Sequence, residues 1–170
     1  LCPSLLDLDY FKGGDIPAVY LPIPVRADLW QQRTKALRYL HNAGNIGHRE
    51  HKGTRQLLEA VAHLRKPIHL VIRVQDGKAL RSIARDVLGN DHEAVVCKDS
   101  GATVVLAYDS EMPYEVLWDG FDVYIAPEKL NGLSLPLQEA QAAGLLVMTS
   151  DRYPHNTWLP REPLIPVSRY

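Results

Sequence analysis

The chain is predicted to be an α/β protein whose parallel sheet is covered by helices on both faces. Three observations predict this. Short apolar runs of strand length alternate with segments whose apolar residues recur at helical spacing. Glycine or proline stands at many of the joints between them. At 170 residues, 46% hydrophobic and 23% charged, the chain can build one domain with a real core, or one domain plus part of another.

The elements follow in order. Residues 1–24 are rich in proline and apolar residues, and Pro17, Pro22 and Pro24 surround Val19, Tyr20 and Leu21, which read as an extended hinge or edge strand. Residues 28–35 are expected to form a short polar helix. Leu37 to His41 reads as the first strand, followed by a loop holding Gly44, Gly47 and Gly53. A helix is predicted over 54–65, with Leu57, Leu58, Val61 and Leu64 on one face. Pro67 stops it and opens a strand over 68–72. The next helix, over 78–88, carries Leu80, Ile83, Ala84, Val87 and Leu88 as an apolar stripe. Residues 93–97 and 103–107 are β-rich runs separated by Asp99, Ser100 and Gly101. A short helix near 113–119 precedes a strand over 122–126. A loop, a helix starting near Ser134 and Pro136, and a last strand over 145–148 complete the alternation. There is no repeat at a fixed period and no low-complexity tract.

Composition narrows the function. A net charge of −1 gives no global field toward nucleic acid or an acidic membrane, so any anion site must be local. No apolar run approaches the roughly 18 residues of a membrane-spanning helix, and no signal-peptide pattern occurs. Cys2 and Cys97 are too few for a disulfide framework and lack metal-ligand spacing, which points to a reducing cytoplasm. Leu1 opens directly in an apolar segment and Tyr170 follows another, so the chain is expected to be part of a longer polypeptide.

The most informative stretch is Asn131-Gly-Leu-Ser-Leu-Pro-Leu-Gln-Glu139. A strand, a glycine-containing turn and a helix start in this order present backbone N–H groups to an anion at the carboxyl edge of a parallel sheet. Glu139, about one turn inside the helix, can accept hydrogen bonds from sugar hydroxyls. Phosphate and sugar hydroxyls together suggest a nucleotide or nucleotide sugar. A solvated helix glutamate is the competing reading.

The loop after the first strand adds glycines 44, 47 and 53 with Arg49 and Lys52. The glycines allow close backbone approach, and the two cations can make charge-assisted contacts to phosphate oxygens. A solvated basic loop is the alternative, and in either reading Lys52 is expected to have little packing to lose, so that its replacement by alanine should hardly move fold stability. The glycine spacing is not the dinucleotide-binding fingerprint, and Lys52 is followed by glycine, which excludes a Walker A loop. His48 and His51 lack a third metal ligand, so no metal is expected. His69 reads as a hydrogen-bonded core histidine, Cys97 as a small apolar filler, and Asp151 as a cap for the turn containing Pro154 and His155. No Ser/His/Asp arrangement supports hydrolysis.

Over roughly residues 19–160 these motifs resemble the donor-binding C-terminal domain of GT-B glycosyltransferases, in the retaining family 4 group (glycosyl transferases group 1). Three segments carry the resemblance: Tyr20 to Val25, the loop ending in Lys52-Gly53-Thr54, and Asp122 to Asp151. It implies a Rossmann-like three-layer sandwich, one half of a GT-B fold. Residues 1–24 would be the hinge and the end of an N-terminal acceptor domain, and 25–170 the donor domain. Lys52, Arg49 and Asn131 would take the catalytic positions. Gly44, Gly47, Gly132, Leu133, Ser134, Leu135 and Glu139 would hold the donor, Glu139 on the ribose and the turn amides on the diphosphate. Asn131 departs from the pattern, since the family has a glutamate there.

The implied activity is hexosyl transfer from a nucleotide-diphosphate sugar to an acceptor hydroxyl, with no metal or other cofactor. The donor-binding part alone is expected to be inactive. Implied partners are the donor and the N-terminal acceptor domain of the same polypeptide. Nothing indicates nucleic acid, and any peripheral membrane association belongs to segments outside this stretch. A non-catalytic nucleotide-sugar-binding domain with a degenerate site is the alternative, with Asn131 as its evidence. An epimerase or a phosphorylase half is a third reading.

Overall fold

The computed structural model describes residues 1–15, 17–46, 51–75, 77–108, 113 and 116–168. Strands β1 (Arg38–Gly44), β2 (His69–Val74), β3 (Ala94–Val96), β4 (Thr103–Tyr108), β5 (Val123–Ala126) and β6 (Leu146–Thr149) form one sheet in the order β3-β4-β2-β1-β5-β6. The helices are α1 (Leu5–Phe11), α2 (Thr54–Ala62), α3 (Gly77–Leu88) and α4 (Leu135–Ala142), with a 3-10 turn at His155–Thr157. The expected parallel sheet needs one correction. Strand β3 runs antiparallel to β4, because the six residues of the turn from Cys97 to Ala102 are too few for a crossover and close a hairpin instead.

Register divides the side chains between two faces. Tyr39 pairs with Leu70 and Val123, whereas Leu40 pairs with Val71 and Tyr124. On one face, Leu57, Leu58 and Val61 of α2 and Leu80, Ile83 and Ala84 of α3 cover Leu70, Ile72, Val104 and Leu106. On the other, Leu137 and Ala140 of α4 pack with Trp118, Leu145, Leu159, Leu40 and Tyr124. The result is a three-layer α/β sandwich of the Rossmann type. The Trp118 and Tyr124 rings meet edge to face with centroids 5.3 Å apart.

Asp122 sets the start of the β1–β5 pair. Its Oδ2 accepts the N–H groups of Leu37 at 3.1 Å and Arg38 at 2.9 Å, while its own N–H donates to the Arg38 carbonyl. At the other end of the pair of strands β5 and β6, the Thr149 hydroxyl donates to the Ala126 carbonyl at 2.7 Å.

Four local expectations change. Residues 28–35 form no helix, since this segment gives its hydrogen bonds to neighbours: Gln31 N donates to Ala143 O and Arg33 Nε to Phe121 O. The core histidine is His41, not the exposed His69. His41 is fully buried between the Ile125 carbonyl at 2.8 Å and the Thr54 hydroxyl at 2.9 Å. Of the helix expected near 113–119, residues 114 and 115 lie outside the described residues, Val116 is 3-10 helical, and 117–120 form bends and a turn. Helix α1 was not expected. Ser4 caps it by accepting the Asp7 N–H, and Cys2 pairs across to Val19 and Leu21. Cys97 is buried as expected, and burial raises its thiol pKa despite a hydrogen bond with Ser100.

Candidate donor site

The topology places one crevice above all others. The chain builds outward from β1 to β2 and β4, then returns to lay β5 on the opposite side of β1. Outside the carboxyl ends of strands at such a switch point, loops diverge and leave room for a ligand. The loop after β1 and the loop after β5 both open there, and each leads into a helix.

These loops are tied together. Gly53 caps α2 with a φ of 74°, a conformation natural to glycine, and a Cβ at this position would run into the carbonyl of Pro127. Alongside, Lys129 N donates to the His51 carbonyl at 2.7 Å. Between them, Lys52 Nζ donates to Glu128 Oε1 at 2.6 Å.

Glu128 is the centre of the arrangement. Only 1% of its side chain is exposed, against 18% for Lys52. Asn131 Nδ2 donates to its Oε1 at 3.2 Å, and the Ser134 hydroxyl donates to its Oε2 at 2.8 Å. Three donors from two loops and a helix start thus converge on one buried carboxylate, which is how such a charge is tolerated away from water. Nothing in the sequence reading singled out Glu128. The signal was faint: a glutamate two residues past an apolar strand, beside a proline and a lysine.

The turn after Glu128 is held by Asn131. Its Oδ1 accepts the backbone N–H of Ser134 at 2.9 Å and that of Leu133 at 3.3 Å. Ser134, the residue before α4, takes a left-handed φ of 42°. Helix α1 lies close by: a Cβ on Gly132 would stand 3.1 Å from Leu6 and 3.5 Å from the Ser4 hydroxyl.

Glu139 is half-buried on the second turn of α4. Burial, then the charges of Glu128 and Glu139, hold the Tyr124 phenol well above its usual pKa, so both carboxylates are near that ring. His155, in the 3-10 turn, is buried, and its Nε2 has no hydrogen-bond partner among the described residues. Burial lowers its pKa, with smaller opposing influences from Glu128 and Lys52. Asp151 accepts from the Asn156 side chain at 2.9 Å, holding the same turn.

Of the predicted site residues, Lys52, Asn131, Gly132, Leu133, Ser134, Leu135 and Glu139 come to this edge of the sheet. Gly44 ends β1 beside it with a φ of 61°, its carbonyl accepting Gln75 N. Gly47 and Arg49, with His48, lie outside the described residues. No group of three metal-ligating side chains occurs among the described residues, and none of their helices is long and apolar enough to cross a membrane.

No protein-family model matches the chain, and no curated protein matches it. Solved structures do. A lipopolysaccharide outer core galactosyltransferase, WaaB, in its apo form aligns with a TM-score of 0.54 and 16% identity, over 86% of this chain and 40% of that one. The pneumococcal O-GlcNAc transferase GtfA, in complex with UDP and GlcNAc, aligns with a TM-score of 0.64 and 20% identity, over 96% of this chain and 32% of that one. This chain therefore spans less than half the length of either protein. At these identities the likeness establishes the fold alone: a Rossmann-like α/β fold that this chain shares with part of each of those two transferases.

Proposed function

We propose that this chain is the donor-binding domain of a retaining glycosyltransferase of the family 4 type, holding a nucleotide-diphosphate sugar at the carboxyl edge of β1 and β5. One observation carries the reading: the loop bearing Lys52 and Gly53 and the turn from Asn131 to Leu135 meet at the topological switch point. The glycosyltransferase fold of the solved neighbours supports it. One of those neighbours is described in complex with UDP, which makes UDP a reasonable first probe.

The roles follow from the chemistry. As the bond from the anomeric carbon to the diphosphate oxygen breaks, negative charge grows on the leaving diphosphate. Lys52, Arg49 and the N-terminus of α4 stabilise that charge, so cationic side chains do the work and no metal or other cofactor is required. Glu139 accepts hydrogen bonds from ribose hydroxyls, and Asn131 faces the donor sugar. Residues 25–170 form the donor domain, and residues 1–24 lead in from an acceptor domain in the same polypeptide. The acceptor supplies its hydroxyl there, so this chain alone binds donor and transfers little. A hexosyl donor and a cytoplasmic setting complete the proposal.

Calorimetric titration with UDP, GDP and ADP tests it. One of them is expected to bind at submillimolar to millimolar concentration, and Lys52→Ala should weaken that nucleotide by roughly tenfold to a hundredfold through loss of a charge-assisted contact. Absence of binding by all three at millimolar concentration would remove the donor-site reading.

A further inference from the structure

We infer that Glu128 is a charge-selecting positioning residue, which makes the site favour a sugar-bearing nucleoside diphosphate over the free diphosphate. The inference deepens the donor-site proposal and rests on it. Lys52, the one predicted site cation among the described residues, does not stand alone: its ammonium is 2.6 Å from a carboxylate that is almost wholly buried. Lys52 and Glu128 together carry no net charge. The same carboxylate is hydrogen-bonded to Asn131 and Ser134, so its negative charge lies one hydrogen bond behind the turn expected to face the phosphates.

A diphosphate entering this crevice meets a lysine already paired and a fixed like charge behind it. The penalty grows with the ligand's own charge. A sugar on the terminal phosphate removes that phosphate's second ionisation, so the donor carries about one negative charge fewer than the free diphosphate near neutral pH. Glu128 therefore opposes the product of transfer more strongly than the donor. His155 does not reverse this, because burial lowers its pKa and so disfavours a cation there. In catalytic terms Glu128 would speed release of the leaving nucleotide without touching the substrate.

The test compares wild type with Glu128→Gln, which keeps the volume and removes the charge. Uridine, UDP, UDP-glucose and inorganic pyrophosphate are titrated calorimetrically. UDP and pyrophosphate should tighten by about tenfold or more in the variant, the scale on which a like charge a few ångströms away shifts an ionic equilibrium. UDP-glucose should tighten less and uridine not at all. A purely structural role would move all four together, and an unchanged or lower preference for UDP over UDP-glucose would overturn the inference. If pyrophosphate tightens while no uridine nucleotide binds either protein, the charge competition stands and a uridine donor is refuted. If nothing binds either protein at millimolar concentration, the inference and the donor-site reading fall together. Should the variant not melt cooperatively, lysine-selective NMR on the wild type decides. Pyrophosphate should shift the Lys52 ammonium resonance as it competes with Glu128, and a stationary resonance would overturn the inference.

Discussion

Replacing Lys52 with alanine should destabilise the fold, although a loop lysine ordinarily has little to lose. The structure supplies the reason. Alanine leaves Glu128 with the hydrogen bonds from Asn131 and Ser134 but without the 2.6 Å contact to an ammonium. Removing one partner of a fully buried ion pair costs about 3–5 kcal/mol, because the remaining charge is uncompensated. Two features reduce that figure here. The Lys52 side chain is 18% exposed, so water can enter where it stood, and two donors remain on the carboxylate. A loss of about 1–3 kcal/mol is the reasoned expectation. For a domain of this size each kcal/mol lowers Tm by roughly 2–4 °C. Urea denaturation followed by circular dichroism, with the m-value unchanged, measures it directly. Lys52→Met combined with Glu128→Gln should recover most of the loss, since a neutral pair of similar volume needs no compensation. A Lys52→Ala protein within about 0.5 kcal/mol of wild type would return Lys52 to the status of a solvated surface residue.

Other perturbations separate structure from binding. Glu139→Gln should weaken nucleotide binding by on the order of 1–3 kcal/mol with Tm nearly unchanged, whereas lost stability with intact binding would leave Glu139 as a helix charge only. Gly53→Ala should cost more than Gly89→Ala in urea unfolding. Both glycines have positive φ, 74° and 77°, but a Cβ at Gly53 meets Pro127 and one at Gly89 meets open space. Equal losses would show that the loop does not press on Pro127, just after β5. For His155, the folded pKa lies below the ordinary 6.5 because of burial, so the unfolded chain takes up a proton that the folded ring refuses. Its share of stability is therefore complete above pH 6.5 and is lost as the pH falls below that value. His155→Phe should flatten this part of the stability profile, and an unchanged slope would assign it to other groups.

The fold was legible wherever a local period carried the information. The stripe at Leu80, Ile83 and Ala84 and the apolar run over β2 place α3 and β2 without knowledge of what they touch. Strand direction was not local. The antiparallel course of β3 follows from the closeness of its turn to β4, and the same apolar runs would suit either direction. The 28–35 segment failed for a related reason. Its backbone groups are claimed by Ala143 and its Arg33 by Phe121, partners about a hundred residues downstream that outweigh a weak helical preference. His69 and His41 show the limit of burial arguments. Both stand in strands, but His69 is the first, exposed residue of the central strand β2, while His41 lies mid-strand beneath the start of α2.

The site was half legible for a physical reason. A cation, a glycine turn and a helix start announce themselves by residue type, and Lys52, Gly132 and Ser134 do meet at one edge. A carboxylate does not, because glutamate after a strand is most often solvated, and the partner that makes Glu128 different is 76 residues away. The departure at Asn131 then takes on another meaning. Seen along the chain, an amide there removes a carboxylate from the turn. Seen in space, Glu128 lies 3.2 Å from that amide, so negative charge remains beside the turn but behind it, out of reach of a ligand. A carboxylate in the front of the site would act on the donor by contact. One held behind Asn131 acts through Lys52 and through its field, which a neutral ligand scarcely feels and a diphosphate must overcome.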